Sequence, residues 1–427
     1  MKNVYAVKGN IIFTKAFGKF EVLENGYIVV EGKLVKGVCG HLPEEFSGVR
    51  IVDYGDSLII PGFVDLHLHA SQYGNLGLGI DKELMPWLET YTFPEEARYS
   101  DIEYAKKVYS ALIRELWRYG TTRCCIFATM HKDSTKLLMD LLAQSGLSAY
   151  VGKVNMDRNS PGYLVEDTKN SIEDTEEILK EYLSKYELVK PIITPRFVPS
   201  CSPKLLKSLG NLAREYRVPV QSHLSENCDE INFVRKLHPD HDNYASVYES
   251  AGLFGEMPTV MAHCILVDED EIELMRKNNV FVAHCPLSNC NLSSGIAPIR
   301  RLVSRGIPVG LGSDISAGNS LSMMNVIVNS GQVSNLKWLQ SSRVDKPLTT
   351  AELFYMATKG GGKFFGRVGS FERGYEFDAL VIDDSNLSIF RSLSLEERLQ
   401  KFIYTGDDRN IKVRYVSGRE VKEPILY

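Results

Sequence analysis

Ile59-Ile60-Pro61-Gly62-Phe63-Val64-Asp65-Leu66-His67-Leu68-His69 is an apolar run, punctuated by Pro and Gly, that ends in two imidazoles. Its length and composition predict a buried strand over 59–69. Residues two apart in a strand share a face, so His67 and His69 aim their rings in one direction. Moving outward, short apolar runs recur at 121–128, 148–154, 190–197, 218–224, 259–264, 280–285 and 308–313. Between them lie longer segments, such as 101–119 and 171–186, with apolar residues three and four apart and Glu and Lys between, which reads as amphipathic helix. This rhythm spreads eight strands over roughly 300 residues and predicts an α/β chain closed into a TIM-type (β/α)8 barrel.

The two ends read differently. Short Gly-broken strands at 10–14, 26–30 and 33–38 are matched by similar ones at 378–382 and 411–416. They predict a small β-sandwich domain assembled from both termini, residues 1–60 and 370–427, around a barrel at 61–369. The net charge of -5, from 49 basic and 54 acidic residues, offers no basic field for nucleic acid. No apolar run reaches the ~18 residues of a membrane span, and the start lacks a secretory apolar core. Eight irregularly placed cysteines, with Cys124 and Cys125 adjacent, read as reduced thiols and predict a cytoplasmic protein.

Polar residues cluster at the ends of the predicted strands: His67 and His69 at the first, Arg196 at the fourth, His223 at the fifth, His263 at the sixth, His284 at the seventh and Asp314 at the eighth. A barrel gathers such positions at one mouth. His67, His69, His223 and Asp314 together offer three neutral nitrogens and one carboxylate, a set suited to zinc or ferrous iron. Glu226, three residues beyond His223, is placed over the same pocket. Each has a plainer alternative: His223 as a satisfied core histidine, Glu226 as a helix-capping acid, Asp314 as an N-cap. His263 is the expected water or substrate contact, and His284 is either a site residue or structural. Lys190 lies at the wrong end of its strand to bridge two metals, so one ion is expected.

These residues resemble the amidohydrolase superfamily, and within it the guanine deaminase branch. The resemblance is carried by residues 61–73, by Trp87-Leu88 with Tyr91-Thr92-Phe93-Pro94, by Gly120-Thr121-Thr122, Thr194-Pro195-Arg196-Phe197 and Ser222-His223-Leu224-Ser225-Glu226-Asn227, and by His284-Cys285-Pro286 with Ser288-Asn289, Gly310-Leu311-Gly312-Ser313-Asp314 and 374–379. Leu287 and the 315–319 loop depart from the pattern. The resemblance implies one Zn2+ per chain, with Fe2+ as the alternative, activating water for attack on guanine. Glu226 is then the proton shuttle, and His263 and Asp314 handle the water proton. Gln72 and Arg196 would hold the purine edges, and Phe197 and Trp87 would flank the ring. The resemblance also implies a homodimer. Other aminohydrolase substrates (8-oxoguanine, cytosine, an adenine derivative or a triazine) and a catalytically inactive binding scaffold are the competing expectations.

Overall fold

The computed structural model describes residues 4–388 and 390–426, so the parts of the terminal assignments that fall on 1–3, 389 and 427 lie outside the described residues. The fold is mixed α/β. Its strands in chain order are β1 (Val4–Ala16), β2 (Lys19–Glu31), β3 (Leu34–Cys39), β4 (Arg50–Pro61), β5 (Phe63–His69), β6 (Thr121–Phe127), β7 (Ser148–Gly152), β8 (Val154–Asn155), β9 (Val189–Pro191), β10 (Thr194–Pro195), β11 (Val220–Leu224), β12 (Thr259–His263), β13 (Phe281–His284), β14 (Val309–Leu311), β15 (Ala379–Ile382), β16 (Ile411–Val416) and β17 (Arg419–Glu420).

Two four-stranded sheets form the middle of the chain, β5-β6-β7-β9 and β11-β12-β13-β14, and all their pairings are parallel. They meet at both edges. On one side Ile193 bridges Val220 in parallel register, with Gln221 donating its amide to the Ile193 carbonyl at 2.9 Å. On the other, the Asp314 amide donates to the His67 carbonyl at 2.8 Å, and the His69 amide to the Ile315 carbonyl at 2.9 Å. Asp65 strengthens this second seam, because its Oδ1 accepts from the amides of both His67 and Ser313. Gly312 makes the close approach possible: a Cβ there would stand 2.9 Å from the His67 Cβ and from the Cys285 Sγ.

Helices cover the strands as their apolar spacing predicts. In Ile102–Arg118 the residues Ala105, Val108, Tyr109, Leu112, Ile113 and Leu116 are buried, and the Asp101 side chain caps the helix by accepting from the Glu103 and Tyr104 amides. Among the described residues no helix is long and apolar enough to cross a membrane.

The ends of the chain combine into one seven-stranded mixed sheet, ordered β17-β16-β15-β4-β1-β2-β3. The run read as a single strand over 59–69 is therefore two strands. β4 pairs with β1 and β15 in the terminal sheet and β5 with β6 in the parallel one, and the chain crosses between them at Gly62. A Cβ at Gly62 would lie 2.3 Å from the Thr122 Oγ1, so only glycine lets the crossing pack this tightly. The strand expected over 190–197 is likewise divided, into β9 and β10.

Arg123 ties the two parts together. From β6 its guanidinium donates to Asp378 at 2.6 and 3.1 Å and to Glu376 at 2.7 Å, with Arg123 and Asp378 both buried. Removing one partner of a buried pair strands the other charge. Arg123→Ala is therefore expected to cost about 3–5 kcal/mol in denaturant unfolding. A loss below ~1 kcal/mol would show that this pair does not hold the sheet to the body.

Candidate active site

His67 and His69 leave β5 on one face, and their rings meet the ring of His223 from the end of β11, with His67 and His223 centroids 4.8 Å apart. The His69 and His223 Nε2 atoms face each other at 3.1 Å. His223 donates from Nδ1 to the Arg196 carbonyl at 2.6 Å, which fixes its tautomer and leaves a lone pair on Nε2. Asp314 Oδ1 is 3.2 Å from His67 Nε2 and 3.6 Å from His69 Nε2. The buried His67 Nε2 nonetheless has no hydrogen-bond partner in good geometry. Ligand atoms of His67, His69 and Asp314 lie within 4.8 Å of one another, as do those of His67, His223 and His263.

Burial lowers the pKa of His67, His69 and His223, favouring neutral, coordinating imidazoles. Burial would raise Asp314, but the facing histidines outweigh it and hold the carboxylate well below its ordinary range. An inward-facing orphan nitrogen, two lone-pair nitrogens in near contact and an ionised carboxylate fit one divalent ion. Cys285 is also near, but burial raises its thiol well above the ordinary value, which disfavours the thiolate ligand.

Glu226 stands beside this cluster. Its Oε2 is 3.3 Å from His263 Nε2, and its Oε1 accepts from Ser294 Oγ at 3.2 Å. Burial pushes the carboxyl up to about 7; Glu230 and Asp314 add to the rise, and His263 and Ser294 oppose it. His263 donates from Nδ1 to Asn289 Oδ1 at 2.9 Å; burial acts against its charged form, but Glu226 and Asp314 raise it above the ordinary histidine value. The capping alternatives fail for both acids. Asn227 caps the helix Cys228–Leu237 in a capping box with Glu230, and the helix after Asp314 does not begin until Met323. Ser225, His263 and Asp314 adopt φ of 50°, 71° and 50°, a left-handed conformation that costs a non-glycine residue about 1–3 kcal/mol and is typical of functional strand ends.

A cavity opens over these groups. Nine of the ten residues given a metal, proton-transfer or base-binding role from the sequence line it: His69, Gln72, Trp87, Arg196, Phe197, His223, Glu226, His263 and Asp314. His67 does not, and packs against the rings of His69, His223 and Phe127. His284 lines a separate cavity with Ser330 and Leu348, and burial pushes its imidazole down to about 3. Sequence reasoning missed Phe127, whose ring lies 4.7 to 5.0 Å from those of His67, His69 and His223, and it missed Glu96. Phe127 had a signal, its place at the end of a predicted strand; Glu96 had none beyond following a quoted motif.

This fold and this site are those of a metal-dependent hydrolase class, and the chain belongs to the amidohydrolase family, whose pattern matches residues 58–421. Within that family it is 39% identical to the guanine deaminase of Dictyostelium discoideum, over 99% of each chain. It is 42% identical to the human guanine deaminase, over 85% of this chain and 82% of that one. Its structure superposes with a TM-score of 0.97 on a guanine deaminase from C. acetobutylicum solved with guanine in the active site, at 55% identity and covering 98% of this chain and 100% of that one.

Proposed function

We propose that this chain hydrolyses guanine to xanthine and ammonia. The observation that carries the reading is one cavity lined at once by ligating histidines, a carboxyl with a raised pKa and the Arg196 and Gln72 pair. The guanine deaminases reported above, one of them with guanine bound, support the same substrate.

Arg196 donates to the purine carbonyl, where adenine would instead present its amine, and Gln72 pairs with a further edge of the base. Phe197 and Trp87 wall the ring. His67, His69, His223 and Asp314 hold one divalent ion, zinc or alternatively ferrous iron, which when bound supplies the Lewis acidity that activates water near neutral pH. Asp314 and His263 accept and hold the water proton. Glu226 gives a proton to the ring nitrogen beside the reacting carbon; reprotonated with the proton that Asp314 and His263 took from the water, it then gives one to the departing amine as the exocyclic C–N bond breaks. Ser294 and Asn289 keep Glu226 and His263 in place.

The same reading joins the two parallel sheets into a (β/α)8 barrel at 61–369, since backbone pairing links them at both edges. It takes the terminal sheet, from 1–60 and 370–427, as curling on its own apolar face of Val7, Ile28, Val30, Phe377 and Val381 into a small sandwich. A cytoplasmic homodimer is part of the proposal.

The test is the fall in ultraviolet absorbance as purified protein consumes guanine, read alongside elemental analysis of the same sample. No ammonia released from guanine, or no bound transition metal, would remove the reading. Arg196→Ala is expected to raise the KM for guanine by about ten- to hundredfold, the loss of a hydrogen bond from a charged donor, with metal content unchanged. Unaltered kinetics would take Arg196 out of the base-binding set.

A further inference from the structure

Two adjacent acids on the short helix Phe93–Ala97 face different partners. Glu95 takes Arg98 and the Tyr104 hydroxyl. Glu96, 4% exposed, points to the cavity wall, where Oε1 accepts from Gln72 Nε2 at 2.9 Å and Oε2 accepts from the Arg196 guanidinium. On its other side, Gln72 Oε1 accepts from the Ser316 amide at 3.3 Å. An ionised carboxylate only accepts hydrogen bonds, and a backbone amide only donates. A flipped Gln72 amide would set oxygen against carboxylate and N–H against N–H, so these neighbours permit one orientation. Glu96 also compensates the buried Arg196 charge, which otherwise stands close to a cluster that takes up a divalent cation.

We propose that Glu96 is the positioning residue for base selectivity: one carboxylate locks the Gln72 amide and aims the Arg196 guanidinium, so that the wall matches a ring carbonyl with its neighbouring N–H rather than an amine with its neighbouring lone pair. This rests on the guanine reading above. Glu96 need not touch the base. Its effect is transmitted through the two side chains that do, and it therefore acts on binding and on choice of base, not on the proton transfers of Glu226.

The experiment compares the metal-loaded wild type with Glu96→Gln, Glu96→Asp and Glu95→Gln, measuring kcat and KM for guanine and the inhibition constant of adenine. Glu96→Gln keeps the shape but loses the obligate acceptor. Its KM is expected to rise about ten- to hundredfold with kcat within about threefold, and adenine is expected to gain on guanine as a ligand by about tenfold. Glu96→Asp, which keeps the charge but withdraws it by one methylene, is expected to fall between wild type and Glu96→Gln and serves where the amide variant does not fold. Placed on an Arg196→Ala background, Glu96→Gln is expected to add less than it does alone. Glu95→Gln loses only its Arg98 and Tyr104 contacts, and its kinetics are expected to match wild type. Glu96 variants that keep wild-type KM and base preference would overturn the proposal while leaving guanine hydrolysis intact. A wild type that fails on guanine would instead overturn the reading beneath it.

Discussion

Glu226→Gln is expected to lose about 10²–10⁴-fold in turnover on guanine while retaining its metal and its affinity for the base. The amide keeps the volume and the acceptance from Ser294 but has no proton to give. The wild-type carboxyl, buried and pushed up to about 7, is poised to release and recapture a proton near neutrality. Below pH 7 it holds the proton that the ring nitrogen needs, so this limb of the wild-type rate declines as pH climbs past about 7, and the variant's residual rate lacks that limb. Stability carries the same sign. The folded state keeps this proton up to about pH 7, whereas the unfolded chain releases it near 4.5; metal-free wild type therefore loses stability as pH rises through that window, by roughly 3 kcal/mol at most. Glu226→Gln escapes this loss, and melting curves of chelated protein at pH 4 and pH 8 measure it. Turnover within threefold of wild type would end the role given to Glu226.

Asp314→Ala is expected to strip the metal and the activity together. Elemental analysis of the variant should find well below one ion per chain, with no guanine consumption above that of chelated wild type. Asp314 is the carboxylate that His67 and His69 face at 3.2 and 3.6 Å, and without it three buried neutral imidazoles offer no charge to offset a dication. Readdition of zinc to chelated wild type is expected to restore turnover and raise the melting temperature, since an ion that binds only the folded state stabilises it. A variant that keeps a full ion and normal turnover would show that the ligand set lies elsewhere.

Much of this site could be read before any coordinates. The histidine pair follows an apolar run, the other polar residues recur at strand ends, and the helix Ile102–Arg118 differs from the 101–119 reading only at its ends. Strand membership was harder. Apart from Asp65, residues 59–66 carry no charged or polar side chain, and an apolar run does not report which sheet each half joins; Gly62 marks the crossing only once Thr122 is seen against it. The capping alternative for Glu226 is removed only by its neighbours, Asn227 and Glu230, which complete the capping box without it.

Which side chains are chemically able to bind a metal, shuttle a proton or donate to a carbonyl is written in residue type and spacing, because ligand chemistry and strand periodicity are local properties. Who partners whom is not. Glu96 meets Arg196 at a sequence separation of 100, the Arg196 carbonyl sets the tautomer of His223, and His284 turns to a different cavity from His263 despite an identical Ala-His-Cys setting. Those outcomes depend on hydrogen-bond distances and on burial that shifts proton affinities, and both come into being only when remote segments pack against one another.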